Sequence, residues 1–264
     1  MDGFHHQYLF YPALLPFAEY PLRPADFAAT LGSTVVIAPH PDDEALGCGG
    51  LLALLHLANQ PTAAVLVSDG SMSHPNSVAY SPEARRAIRE AEFRHALTIL
   101  GADATEPLLL RLPDSRVPDT ADAPGFAAAV EHLRAFLTRQ RAATVLVPWR
   151  RDPHPDHRAT AALVQAALAG LPQPPRRLEY VVWAWERAAP DDLPTPADAV
   201  QGFRLDISMG MPQKQRAIAA HRSQVAPGVF TDDPGGFLLS AEMLAHFATP
   251  YEVYFEASQP EHQS

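Results

Sequence analysis

One cysteine, Cys48, is present in 264 residues, so no disulfide can form within the chain. Small secreted scaffolds built on disulfides are therefore excluded, and the pattern fits a reducing, cytoplasmic setting. A lone cysteine of this kind reads as a small apolar packing residue. The sequence also lacks any run of about 18 uninterrupted apolar residues, the length needed to span a bilayer, and a soluble protein is expected. Basic charge is in short supply: 20 Lys and Arg face 30 Asp and Glu, a net charge of -10. That balance disfavours phosphate backbones and anionic lipid surfaces, so neither nucleic acid nor a membrane is an expected partner. Residues 1–17 carry no basic leader, and Asp2, Pro12 and Pro16 interrupt them. They read as an aromatic arm on the domain and not as a signal peptide.

Apolar and proline residues are abundant. Hydrophobic residues make up 47% of the chain against 19% charged, enough for a sizeable core. The 27 prolines then read as punctuation between packed elements rather than as disorder. Apolar, β-branched runs at 34–38, 63–67, 108–112, 144–148 and 179–185 alternate with helix-periodic segments at 43–58, 82–100, 122–140 and 155–169. Strands alternating with long helices predict an α/β fold, a Rossmann-like, mostly parallel sheet with helices on both faces. Beyond residue 200 a strand (203–207), a helix (212–222), a Pro/Gly-rich loop (227–236) and an aromatic strand (251–255) read as a C-terminal embellishment. Length predicts one domain over 1–264, with an N-terminal arm at 1–30, a motif-bearing core at about 34–224 and an extension at 225–264.

Ligands of open parallel sheets bind outside the carboxyl ends of the strands, and here those positions are polar. The first strand is followed by His40-Pro41-Asp42-Asp43-Glu44, the third by Pro113-Asp114-Ser115, and the fourth by Asp152-Pro153-His154-Pro155-Asp156-His157. An isolated Asp-Asp-Glu at a helix start is explained by capping and by the helix dipole. Capping does not require histidines, however, and two His-bearing turns at one rim supply the imidazoles and carboxylate of a three-ligand catalytic metal site. Gly47, Gly49 and Gly50 match no phosphate loop and predict close packing of their helix. Ser71 and Ser73 form no nucleophile elbow.

Ala38 to Glu44 (APHPDDE) and His154 to His157 (HPDH) resemble the two signatures of the PIG-L/LmbE-like zinc-dependent N-acetylglucosamine deacetylases. The likeness extends to Gly47-Cys48-Gly49-Gly50, to Arg89–Gly101 (REAEFRHALTILG), to Leu112-Pro113-Asp114 and to Lys214–Gln224 (KQRAIAAHRSQ). Carried over by position, the resemblance implies that His40, Asp43 and His157 ligate zinc, with iron(II) an alternative for the same donors. It implies further that Asp42 is the general base for a water on the metal and that His154 steadies the oxyanion. Asp156 is placed to hold an imidazole in one tautomer, or to serve as a first-turn helix carboxylate. Arg89 and Asp114 resemble positions that contact sugar hydroxyls, although Arg89 could equally pair with Glu92 one turn away. His221, Ser223 and Gln224 resemble site-lining positions too. Some members of the family carry a tyrosine where this chain has Asp152, which would recognise a substrate hydroxyl or amine if it points inward.

The reaction implied is removal of the acetyl group from a small N-acetylglucosamine-type sugar or glycoconjugate. The same site could serve a thiol-sugar conjugate or an aminoglycoside-type antibiotic intermediate. A non-catalytic sugar-binding module would be expected to lack a ligand or the base, and none is missing. The loops at 186–201 and 227–236, which would set substrate size, match no motif, and oligomeric state has no sequence signal.

Overall fold

A computed structural model describes residues 16–257; the expected aromatic arm therefore lies outside the described residues up to position 15. The strands in chain order are β1 (Leu22–Arg23), β2 (Thr34–Ala38), β3 (Thr62–Ser68), β4 (Leu108–Leu112), β5 (Thr144–Pro148), β6 (Arg176–Tyr180), β7 (Val200–Asp206) and β8 (Tyr251–Ala257). The helices are α1 (Asp43–Leu57), α2 (Pro82–Leu100), α3 (Phe126–Arg139), α4 (Pro155–Ala169), α5 (Ala184–Arg187), α6 (Met211–Ala220), α7 (Arg222–Val225) and α8 (Ala241–His246). One sheet holds all eight strands in the order β1-β7-β8-β6-β5-β2-β3-β4, and only β8 runs antiparallel to its neighbours. Among the described residues no helix is long and apolar enough to cross a membrane.

Alternation along the strands divides the core into two layers. Val35 and Ile37 of β2, with Val65 and Val67 of β3 and Val145 and Val147 of β5, pack on α3 and α4. Val36, Ala38, Ala64, Leu66 and Leu146 point to the opposite face, onto α1, α2 and α6. Side chains that alternate between two covered faces are what a buried parallel sheet requires. The glycines of α1 let it approach: a Cβ on Gly47 would lie 2.3 Å from Tyr180, and one on Gly50 2.5 Å from Ile207. A buried ion pair crosses this contact. Lys214 Nζ donates to Leu46 O and to Glu252 Oε1, both at 2.7 Å. Glu252 also accepts from the Gly50 and Leu51 amides of α1 and from Tyr254 Oη.

Several boundaries differ from expectation. The strand expected at 179–185 is β6 at Arg176–Tyr180, and the chain then turns into α5. Pairing with β5 ends at Pro148 and Tyr180, so the apolar run from Val181 to Trp185 leaves the sheet to line other surfaces. Helix α3 starts at Phe126 and not at Asp122, because Gly125 precedes it with φ 89°, a left-handed turn that helical backbone cannot continue through. The helix expected at 212–222 ends at Ala220 and is followed by α7. The C-terminal strand joins the main sheet: β8 inserts between β6 and β7 and makes them one sheet. From the arm, Phe17 is buried on Trp185 and Phe255.

Candidate active site

The chain runs outward from β2 through β3 to β4, then returns to β5 on the other side of β2. The loops after β2 and β5 therefore diverge, and this opens a crevice at the carboxyl ends of the strands. A cavity of about 230 Å³ occupies it, lined by residues following β2, β3, β4, β5 and β6. Its volume is below the roughly 300–1,000 Å³ of sites that enclose a drug-sized ligand, so it encloses only a small group with the remainder of a molecule at the rim.

Asp43, the first residue of α1, stands at the centre. Its Oδ2 lies 3.3 Å from His40 Nδ1 and 3.2 Å from His157 Nε2. Donors held about 2.0–2.1 Å from a tetrahedral ion are about 3.3 Å apart, so each of these two distances is that of neighbouring ligands on one ion. His157 gives a second sign. It is 0% exposed, and although Asp43 and Asp152 lie 3.2 and 3.4 Å from its ring nitrogens, neither contact has the geometry of a hydrogen bond. A buried imidazole without partners is costly unless something else satisfies it. His40, His154 and His157 form another grouping with ligand-like spacing, as do His40, Asp114 and Asp156. In the first, His154 Nδ1 already accepts from the Asp156 amide. In the second, Asp156 already accepts from the Ser115 and Val117 amides. In the set centred on Asp43, Oδ2 also accepts from the His40 amide at 2.9 Å and keeps a second lone pair, while both ring nitrogens of His157 are left without a hydrogen bond.

Electrostatics favour a cation there. Burial opposes charge on His157, yet Asp43 and Asp152 lift its pKa to about 9. Burial likewise opposes charge on His40, and Asp114, Asp156 and Asp43 raise its pKa well above the ordinary value. Burial also works against the Asp43 carboxylate, but His157 and His40 hold it well below the usual range. The carboxylates thus demand positive charge at the imidazoles, which protons or a metal ion can supply.

Asp42 occupies a strained position, with φ 135° where a side chain is disfavoured. Its amide donates to Glu44 Oε2, and Arg89 holds the turn from outside by donating to Pro41 O at 2.8 Å and to Gly70 O at 2.9 Å. The same guanidinium lies 3.4 Å from Asp42 Oδ2. Burial raises the Asp42 pKa, with Arg89 opposing and Asp43 adding, to about 7. The turn therefore presents a basic carboxylate to the cavity beside the ligand cluster.

His154 lines the opposite wall. Because its Nδ1 accepts from the Asp156 amide, the neutral ring carries its proton on Nε2 as a donor. Burial, with His157 and His40 nearby, lowers its pKa to about 3 and keeps it neutral.

The structure brings His40, Asp42, Asp43, Arg89, Asp114 and His154 to the cavity wall, with His157 and Asp156 behind them. Asp156 Oδ2 is 3.0 Å from His40 Nε2 and fixes that ring. Asp114 accepts from the Met72 amide and lies 3.5 Å from His40 Nε2. Asp152 departs from the expected inward orientation. It is 0% exposed, its oxygens accept from the His154 and Trp183 amides, and it lies 3.4 Å from His157 Nδ1, so it faces protein and not substrate. Arg89 does not pair with Glu92, which instead accepts from the amide and hydroxyl of Ser223. His221 is buried against Glu44 at 2.7 Å, behind the first turn of α1, whereas Gln224 reaches the cavity.

Sequence reasoning missed Leu46, Met72, Ser73, Trp183, Arg187, Phe237 and Leu239, which with Ser115 complete the lining. Their loops are tied together: Phe237 N donates to Ser73 O, Asn76 N to Asp233, and Ser77, Val78 and Ala79 to Asp232. Of the missed residues only Arg187 falls within the two unmatched loops at 186–201 and 227–236, and Phe237 directly follows the second.

The family model for GlcNAc-PI de-N-acetylase, PIG-L, matches residues 35–168. The chain is 30% identical over 222 residues to a 2'-N-acetylparomamine deacetylase of Streptomyces fradiae, covering 78% of each. It is 29% identical over 203 residues to a probable N-acetyl-alpha-D-glucosaminyl L-malate deacetylase 2 of Bacillus anthracis, covering 74% of this chain and 82% of that one. An N,N'-diacetylchitobiose deacetylase from Pyrococcus horikoshii superposes with a TM-score of 0.63 at 22% identity, covering 97% and 93%, and so shares the fold.

Proposed function

The chain belongs to the PIG-L family and is a hydrolase that removes N-acetyl groups, and we propose that its substrate is a small N-acetylglucosamine-type sugar bound in the cavity beside a divalent metal. His40 Nδ1, Asp43 Oδ2 and His157 Nε2 would hold that metal; two imidazoles and a carboxylate suit zinc and also iron(II). The buried, unpartnered His157 facing Asp43 is the observation that carries this reading. When bound, such an ion polarises an amide carbonyl and lowers the pKa of water.

The protein's own groups divide the remaining work. Asp42 takes the proton of the attacking water, and Asp42 or His154 returns a proton to the leaving amine, so acetate and a free amino sugar result. His154 donates its Nε2 proton as a hydrogen bond to the developing oxyanion, a role that needs a neutral ring with fixed tautomer. Arg89 holds the Asp42 turn, and its place on the cavity wall lets it also meet a sugar hydroxyl. Asp114 offers a carboxylate oxygen to a second hydroxyl. Asp156 and Asp152 orient His40 and His157, respectively. The same arrangement serves N-acetylated aminoglycoside or thiol-sugar substrates, because only the acetamide must reach the centre.

Acetate release from a panel of N-acetylglucosaminides tests the reading. Release should stop after chelation and return with added zinc or iron(II). Release that ignores the chelator, or no release from any N-acetylated amino sugar, would overturn it.

A further inference from the structure

Two arginines line the cavity, and they differ in what they hold. The Arg89 guanidinium is buried, and its two terminal nitrogens are held by two backbone carbonyls and Asp42, which leaves only Nε without a partner. Arg187 is exposed and makes no side-chain hydrogen bond or ion pair among the described residues. Its amide donates to Trp183 O at 2.9 Å, one turn of α5, and its guanidinium carbon lies 4.0 Å from the centre of the Trp183 ring. Stacking on an indole limits the directions a guanidinium can take while leaving its edge donors free. Trp183 is itself fixed: Asp152 accepts from its amide, its ring stacks on His154, and Phe237 meets it edge-on at 5.8 Å.

From the reacting end outward, the cavity therefore runs from acids and imidazoles, past an aromatic wall, to a positioned cation with uncommitted donors. Its small volume leaves an aglycone at that cation once a sugar ring is seated. An aromatic wall suits the apolar face of a sugar, and a planar fork of N–H donors suits an oxyanion. In a chain of net charge -10, an unpaired arginine at this place is the feature that would draw an anionic group.

We propose that Arg187 selects N-acetyl amino sugars whose aglycone carries an oxyanion, a carboxylate or a phosphate. The inference rests on the deacetylase reading of the cavity and adds the charge of the group beyond the sugar. It disfavours polycationic aminoglycosides, whose ammonium groups would meet Arg187 at the rim.

The test compares N-acetylglucosaminides bearing a carboxylate, a phosphate or an uncharged carboxamide aglycone, together with an N-acetylated aminoglycoside fragment. Dissociation constants are measured by calorimetry, and acetate release separately, for the wild type and for Arg187→Gln. A charge-assisted, bidentate contact predicts that the carboxylate or phosphate ligand binds about tenfold or more tightly than the carboxamide. In Arg187→Gln that ratio should fall to near one, and the tighter of the two anions identifies the group. Equal binding of charged and uncharged ligands by the wild type would overturn the inference, as would a ratio that Arg187→Gln leaves intact. A binding preference with no acetate release would count against the hydrolytic reading and leave selection by Arg187 standing.

Discussion

Replacing Lys214 with Met removes one charge from the buried pair that joins α1, α6 and β8. The ammonium loses two 2.7 Å bonds, to Leu46 O and Glu252 Oε1. Glu252 keeps three donors, the Gly50 and Leu51 amides and Tyr254 Oη, so its charge is stranded but not bare. Breaking a buried pair by removing one partner costs about 3–5 kcal/mol, and the surviving donors put this case near 3 kcal/mol. For a chain of this size that is a fall in Tm of roughly 6–12 °C. Thermal unfolding followed by calorimetry measures it, with Glu252→Gln and the double variant completing a cycle. The double variant should recover most of the loss, because neither charge is then left unpaired. A single-variant cost under about 1 kcal/mol, or costs that add in the double variant, would refute the assignment. The consequence reaches the site, since α1 begins with Asp43.

Asp152→Ala should strand the His154 and Trp183 amides and free the ring of His157, weakening metal affinity by about 10–100-fold; metal-competition titration checks it. His221 gives a pH dependence. Burial lowers its pKa, but Glu44 more than offsets this and leaves it raised, so the pair's stabilisation is fully present below the unfolded value near 6.5 and is lost as pH rises through the higher folded value. Denaturant unfolding of wild type and His221→Gln should therefore converge as pH rises, and a gap that widens would contradict the pairing.

The β-α rhythm from β2 to α4 could be read from local pattern, because apolar runs bounded by Gly and Pro coincide with real elements there. The end of β6 could not, since Val181 to Trp185 is as apolar as a strand and only the loss of pairing beyond Tyr180 stops it. The place of β8 depends on contacts with residues far away in sequence, which periodicity does not encode. At the site, the two His-bearing turns pointed to one rim, and the structure brings their histidines together with Asp43 there. The burial of Asp152 was hidden because the two amides it serves belong to different segments. Trp183 and Arg187 come from the start and end of the short helix α5, Phe237 and Leu239 from the loop before α8, and only the folded chain shows that they share a wall.

Asp42→Asn isolates the proton-transfer role from metal binding, because the change leaves His40, Asp43 and His157 in place. Metal content and acetate release measured on the same preparation give the answer. The variant should bind as much metal per chain as the wild type while acetate release falls by about 10²–10⁴-fold. Near-full release with metal bound would contradict the assignment of Asp42 as the base.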